Sequence, residues 1–388
     1  MRDCLQRYEQ ELTGSVIPFW ERYCVDEEHG GYFNCLDRDG SVFDTDKHLW
    51  MQWRIVYTFA TLAGTRFAGE KREEWLRIAR HGFDFLVAHG RDEEGACYFA
   101  LNRQGEPIVA PYDIGADFFA IMGSAALFKA TGDESCKEAA LASLQQVMGR
   151  LDNPKGQWNK RLPAYPERLA HGTQMATINL GLVLEECLGL PGLEGQVEEA
   201  VDLILEHFWR PEHGVILENL NPDRSVDLDS SEGRQVEPGH GLESAWLIMA
   251  HAERQGRQDR IERTGQVVRS ILEQSWDLEH GGIFYFIDVL GRPHPELTWQ
   301  MKLWWVHCEA LVAALAGHRL TGDPELLQWF ERIDEWTFAH FPDPEHGEWF
   351  GYLNRRGEPT HQLKGGKWKT LFHLPRALLE CIGQLERL

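Results

Sequence analysis

Residues 26–33 read DEEHGGYF, and this turn decides the fold because it recurs. DEEGACYF stands at 92–99, PEHGVILE at 211–218, LEHGGIFYF at 278–286 and PEHGEWFGY at 344–352. A degenerate sixth copy, PKGQWNK, occupies 154–160. The turn glycines are Gly30, Gly95, Gly156, Gly214, Gly281 and Gly347, spaced 58 to 67 residues apart. Six units of that length account for the whole chain, and a fixed period is the signature of a repeat architecture.

Most turns run on into an apolar strand, a D/N-x-x-G turn and a polar return strand. FNCLDRDGSVF (33–43), YFALNRQGEPI (98–108), FYFIDVLGRPH (284–294) and YLNRRGEPT (352–360) share that form. It predicts short β-hairpins decorating loops. Two helical stretches lie between successive turns. The one before the turn is amphipathic, as in EWLRIARHGFDFLVAHG (74–90) and QVEEAVDLILEHFW (196–209). The one after the hairpin is apolar nearly all round. These stretches are 50–64, 114–132, 173–189, 240–256, 302–322 and 368–383, each ending near a glycine suited to a C-cap.

An apolar helix paired with an amphipathic one predicts an inner and an outer layer. Six such pairs closed into a ring give an all-α fold, an (α/α)6 barrel. An open solenoid would need polar terminal caps. The last helix, LFHLPRALLECIGQL, is as apolar as the central ones, which favours closure. Residues 1–388 then form a single domain.

Composition bounds the function. The chain carries 61 acidic and 39 basic side chains, a net charge of -22. Nucleic acids and anionic membranes both attract basic patches, so neither is an expected partner. No run of 18 apolar residues occurs, and residues 1–12 lack the apolar stretch of a signal peptide. The eight cysteines form no CxxC pair and read as buried free thiols. A cytoplasmic protein is expected. Neither GxGxxG, GxxxxGK[ST] nor GxSxG occurs, which argues against nucleotide hydrolysis and serine-hydrolase chemistry.

Polar residues gather at the starts of the inner helices, where one barrel mouth would lie. They include Arg54 with Trp50 and Trp53, Asp113 and Asp117, His240 and Glu243, Lys302 and Glu309 with Trp304 and Trp305, and His373 with Trp368. Charged groups inside apolar helices are expensive unless they line a wet pocket. His240 and Glu243, three apart, share a helix face. No HExxH accompanies them, so no metal is expected; a glutamate tuning His240 is the simpler reading. Adjacent Trp304 and Trp305 point about 100° apart on a helix, so at most one should face the pocket centre. Arg54 is open to a structural ion pair with Glu309. His171 and His307 are weaker candidates. His29, His213, His280 and His346 recur with the turn and read as structural.

The barrel together with EPGHGLESAWLI (237–248), WMQWR (50–54), KLWWVHCEAL (302–311) and KTLFHLPRAL (369–378) resembles the N-acylglucosamine 2-epimerase family, and its bacterial and cyanobacterial members in particular. The resemblance spans essentially the whole chain. It implies two catalytic histidines, His240 and His373, an inner arginine, Arg54, and acids at Glu243 and Glu309. Lys302, Trp304, Trp50 and Asp117 complete the expected sugar-binding set. Relatives that act on cellobiose or isomerise aldoses carry a further histidine on the third inner helix, where this chain has Met175 or Ala176.

The implied reaction interconverts N-acetyl-D-glucosamine and N-acetyl-D-mannosamine. A proton leaves C2 of the open-chain sugar and returns on the other face. Two histidines suit it, since an imidazole both takes and gives protons near neutrality. His373 is assigned to the gluco epimer and His240 to the manno epimer. Arg54, with Lys302, would stabilise the enediolate. The same histidine pair would assist ring opening. No cofactor is required for this chemistry; the resemblance implies ATP as an allosteric activator and a homodimer. The alternatives are an aldose–ketose isomerase or a cellobiose or mannose 2-epimerase on the same barrel. A glycoside hydrolase, using two of Asp113, Asp117, Glu243 and Glu309, leaves the histidines unexplained.

Overall fold

In the computed structural model, residues 2–162, 164–165, 167–190 and 193–388 are described. Their helices alternate between two layers. The outer layer begins with α1 (Arg2–Glu11), which runs through a π turn (Leu12–Val16) into α2 (Ile17–Tyr23). It continues with α4 (Arg72–His89), α6 (Glu134–Arg150), α8 (Glu194–Leu203), α10 (Gln258–Ser275) and α12 (Pro324–His340). The inner layer is α3 (Leu49–Leu62), α5 (Gly115–Thr131), α7 (His171–Leu188), α9 (Pro238–Gln255), α11 (Trp304–Thr321) and α13 (His373–Leu385).

The layers follow from the residues. In α11 every residue from Trp304 to Gly317 is buried. In α10 burial follows a stripe that includes Ile261, Thr264, Val268, Ile271, Leu272 and Ser275, the 3.6-residue spacing of a one-sided helix. Successive inner helices pack side by side, and each packs on the outer helix that follows it. Four inner helices end on a left-handed glycine: Gly132, Gly189, Gly256 and Gly322. The expected caps at Gly64 and Gly383 differ. α3 ends one residue earlier, at Ala63, and Gly383 lies inside α13.

The ring closes. The Tyr8 hydroxyl donates to Asp334 Oδ1 at 2.9 Å, joining α1 to α12 across 326 residues of sequence. Trp20 Nε1 donates to Glu348 at 2.7 Å and Trp349 Nε1 to Glu11 at 3.0 Å. On the inner side, Thr58 Oγ1 of α3 donates to the Leu371 carbonyl at 2.7 Å, just ahead of α13. The fold is the (α/α)6 barrel that the repeat predicts.

The hairpins do more than decorate. The strand leading into an inner helix pairs with the next unit's first hairpin strand. Lys47–His48 pairs with Ala100–Leu101, Leu169–Ala170 with Asn219–Leu220, Gln235–Val236 with Ile287–Asp288, and Lys302–Leu303 with Tyr352–Leu353, all antiparallel. These pairings fix the N-termini of α3, α7, α9 and α11 at one mouth. Two hairpins differ from the expected form. Ile287–Asp288 pairs with Gln235–Val236 rather than with its own return strand, and Leu353 meets Pro359 in a single bridge.

A buried ion triplet fastens three of the turns. Asp26, Asp277 and Asp343 each accept turn N–H groups. Each also binds a buried lysine: Lys47 at 3.0 Å, Lys302 at 3.3 Å and Lys364 at 3.0 Å. Arg103, Arg355 and Arg38 close the three sets at 3.0, 2.8 and 2.7 Å. The turns need glycine. Gly281 has φ +72°, and a Cβ there would lie 2.6 Å from the Trp336 ring.

All eight cysteines are free thiols. Among the described residues, no helix is long and apolar enough to cross a membrane.

Candidate active site

The starts of the six inner helices enclose a cavity of about 670 Å³. Trp50 and Arg54 of α3, Phe119 and Met122 of α5, and Met175, Ala176 and Asn179 of α7 form one side of its wall. His240 and Glu243 of α9, Trp304 and Trp305 of α11 and His373 of α13 form the rest, with Glu237, Tyr285, Tyr352, Trp368 and Phe372 from the flanking segments. A mostly apolar cleft with a few converging polar groups is the usual form of a small-molecule site.

His373 is the first residue of α13. The helix starts five residues later than its apolar pattern predicts. Lys369 is drawn inward to Glu348 Oε1 at 2.7 Å and to the Lys364 carbonyl at 2.8 Å, which holds the chain irregular through Phe372. Pro375 then falls in the first turn, where a missing N–H leaves no intrahelical bond unmade. The Nδ1–H of His373 donates to Glu309 Oε1 at 2.7 Å, which leaves Nε2 as the basic nitrogen. Glu309 also accepts from Arg376 at 2.7 Å and from Trp246 Nε1 at 2.7 Å. Arg376 reaches Glu243 as well, at 2.6 Å. Burial, and then the nearby Arg54 guanidinium, hold the His373 imidazolium pKa well below its ordinary value. His373 is therefore neutral at pH 7.

His240 is its opposite. Its Nδ1 lies 3.0 Å from Glu218 Oε2 and 3.1 Å from Glu237 Oε2. Burial disfavours its charge, but the two carboxylates outweigh that and push its pKa up to about 10. Glu218 is held down to about 2, because its own burial is overcome by the two histidines it serves, His240 and His171. His171 donates from Nδ1 to Glu218 Oε1 at 3.2 Å, and its Nε2 is bound to Ser244 Oγ at 2.7 Å. His171 thus lies behind Glu218, not on the cavity.

Trp305 stands between the two catalytic candidates. Its ring centroid is 5.4 Å from that of His240 and 5.4 Å from that of His373. The α11 sector therefore separates the two histidines, as the order of the inner helices requires. It also brings both Trp304 and Trp305 to the wall, because the cavity curves around the first turn of α11.

Arg54 is buried and forms no ion pair among the described residues. Its guanidinium lies 4.0 to 4.8 Å from the Phe119, Phe372 and Trp50 rings, and its Nε has no hydrogen-bond partner. Burial lowers its pKa to about 9. The ion pair with Glu309 left open by the sequence does not form, since Arg376 takes that place.

Three expected substrate contacts are not on the cavity. Lys302 is the buried lysine of the turn triplet, bound to Asp277 and to the Gly282 carbonyl at 3.2 Å. Lys47, just ahead of α3, has the same role toward Asp26. Asp117 is fully buried, accepts the Cys97 N–H at 3.1 Å and pairs with Arg150 at 3.1 Å, tying the second hairpin to α6. Glu309 sits behind His373. Glu243, Trp304, Trp50 and Asp113 do line the cavity. His307 is structural: its Nε2 accepts the Ile283 N–H at 3.0 Å and its Nδ1 donates to the Leu303 carbonyl at 2.8 Å.

Sequence reasoning missed Glu218, Glu237 and Arg376. Each left a signal. Arg376 is three residues from His373 and so shares its helix face. Glu218 is an acid at the fourth position after its turn glycine, where other units have Asn34, Phe99, Tyr285 and Gly351. Glu237 sits at the N-cap of α9, three residues before His240. Glu218, Glu237 and His240 approach one another closely enough to hold a cation, as do Glu243, Glu309 and His373. In the second group Arg376 already supplies the positive charge.

Three comparisons bear on this site. Residues 31–377 match the family model described as N-acylglucosamine 2-epimerase (GlcNAc 2-epimerase). The chain is 37% identical to the N-acylglucosamine 2-epimerase of Bos taurus, covering 100% of this chain and 92% of that one. It is 38% identical to the Mus musculus protein of the same name, covering 97% and 90%. Its fold superposes on the cellobiose 2-epimerase from Bacillus thermoamylovorans B4167 with a TM-score of 0.84 at 20% identity, over 99% of this chain and 100% of that one.

Proposed function

The chain belongs to the N-acylglucosamine 2-epimerase family, and from that premise we propose that it interconverts N-acetyl-D-glucosamine and N-acetyl-D-mannosamine by a two-histidine mechanism. The observation that carries the mechanism is the paired but opposite environment of His240 and His373 on either side of Trp305. One imidazole is charged at neutral pH and the other is not.

C2 of the open-chain sugar is acidic because the C1 aldehyde accepts the electron pair left when the proton departs. Neutral His373 takes that proton from the gluco epimer through Nε2. The charge moves onto O1 as an enediolate. Arg54 has no carboxylate of its own, so its charge is available to O1. The His240 imidazolium then returns a proton to C2 from the other side, giving the manno epimer. The reverse reaction exchanges the two roles. Glu309 and Arg376 orient His373, and Glu218 orients His240. Glu243, Trp304 and Trp50 supply sugar contacts, while Lys302 and Asp117 belong to the scaffold.

No group beyond these side chains is needed to move the proton. Homodimerisation, activation by ATP, a cytoplasmic location and a single domain over residues 1–388 belong to the same reading. The family resemblance supports the first two, the eight free thiols the third and the six-fold repeat the last.

The test is incubation with N-acetylglucosamine in deuterated water. Deuterium at C2 and the appearance of N-acetylmannosamine are expected. Absence of exchange with this sugar sinks the proposal.

A further inference from the structure

The two histidines act at C2, but the sugar enters as a ring. Opening it breaks the C1–O5 bond, delivers a proton to O5 and removes one from O1. Neither event occurs at C2.

Glu237 lies at the cavity wall and is 7% exposed. Its Oε2 is 3.1 Å from His240 Nδ1, yet that N–H already donates to Glu218 Oε2 at 3.0 Å. Among the described residues no other side chain or backbone group donates a hydrogen bond to the Glu237 carboxyl oxygens. Glu218 and Glu243 are the further carboxylates around it, and the Tyr285 phenol on the same cavity feels its charge. A buried carboxylate with no donor of its own and two acids for neighbours holds its proton. Burial, reinforced by Glu218 and Glu243 against the opposing charge of His240, raises its pKa to about 8.

We propose that Glu237, as the neutral carboxylic acid, opens the pyranose ring. Its O–H gives a proton to O5 as the C1–O5 bond breaks. Its carbonyl oxygen takes the proton from O1 as the C1=O1 bond forms. The acid is left as its own tautomer, so no net proton is gained or lost. The match is geometric: O1 and O5 share C1 as the two carboxyl oxygens share Cδ, so both pairs span a similar gap. The position fits as well, because C1 is bonded to C2, and Glu237 touches the imidazole that serves C2.

This inference rests on the epimerase reading, and its test separates the two. Glu237→Gln keeps the shape and removes the proton. The probes are N-acetylglucosamine and a 2-acetamido aldose methylated at O4 and O5, which cannot close a pyranose or furanose. Solvent deuterium exchange at C2 is measured for both, with circular dichroism to check the fold and Glu237→Asp to test rescue. Exchange into N-acetylglucosamine should fall about 100-fold or more, while exchange into the open-chain sugar stays within about threefold of wild type. Parallel loss on both probes places Glu237 behind His240 alone and overturns the proposal. Undiminished exchange on both overturns it as well. A wild-type enzyme silent on both probes overturns the epimerase reading instead.

Discussion

Arg376 and His373 bind the same oxygen of Glu309, each at 2.7 Å. The shared acceptor explains how a buried histidine stays neutral beside a carboxylate. Arg376 offsets the charge of Glu309, so the carboxylate orients the imidazole without making it much more basic. At His240 no such cation stands against Glu218, and the imidazole keeps its proton.

Glu309→Gln tests that arrangement. The amide removes the charge that fixes the His373 tautomer. We expect kcat to fall about 100-fold or more with a smaller change in KM, since orientation of a base by a buried carboxylate acts chiefly on the transition state. A large KM effect with kcat intact would make Glu309 a substrate ligand after all.

Arg54→Gln removes a buried cation that faces the charge developing on O1 and also helps to keep His373 neutral. Loss of one such donor reduces kcat by about 10² to 10³. The epimerisation rate at saturating sugar measures it. Thermal unfolding should change little, because Arg54 holds no ion pair among the described residues and its removal strands no acid.

The pH profile carries a sign. His240 has a raised pKa, so its acid form is complete below its ordinary value of 6.5 and is lost as pH rises through about 10. His373 has a lowered pKa, so its base form survives to well below 6.5. On the open-chain sugar methylated at O4 and O5, which leaves Glu237 no ring to open, C2 exchange should therefore hold from pH 6.5 to well above neutrality and then fall. Glu218→Gln removes one of the two charges that raise His240, and the alkaline limb should move toward neutrality by about one pH unit or more. An unmoved limb would mean that His240 is not the acid.

Lys302→Met separates scaffold from chemistry. Removing one partner from a buried ion set costs about 3 to 5 kcal/mol. Arg355 remains beside Asp277, so the lower end is expected. Urea unfolding should show the loss, while kcat per folded molecule stays unchanged. Lost kcat at full stability would return Lys302 to the catalytic cavity.

Much of this was legible in the chain itself. Turn spacing gave six units, apolar patterning separated α11 from α10, and the exceptions to that patterning placed Arg54, His240 and His373 at one mouth. Lys302 shows where the reading failed. A lysine beside apolar helix residues looks the same in sequence whether it faces a cavity or an aspartate, although its likeness to Lys47 carried a warning. Glu218 and Glu237 escaped notice because neither lies inside an inner helix.

The sequence by itself determined the period, the layers and the closed barrel, because these depend on local patterns repeated at fixed intervals. It also determined which residue types were available for proton transfer. Only the tertiary structure decided which histidine is charged. That depends on whether a carboxylate 22 residues from His240, or an arginine 67 residues from Glu309, comes within hydrogen-bond distance. Electrostatic environment is set by distances through space and by burial, and neither is encoded at any single position.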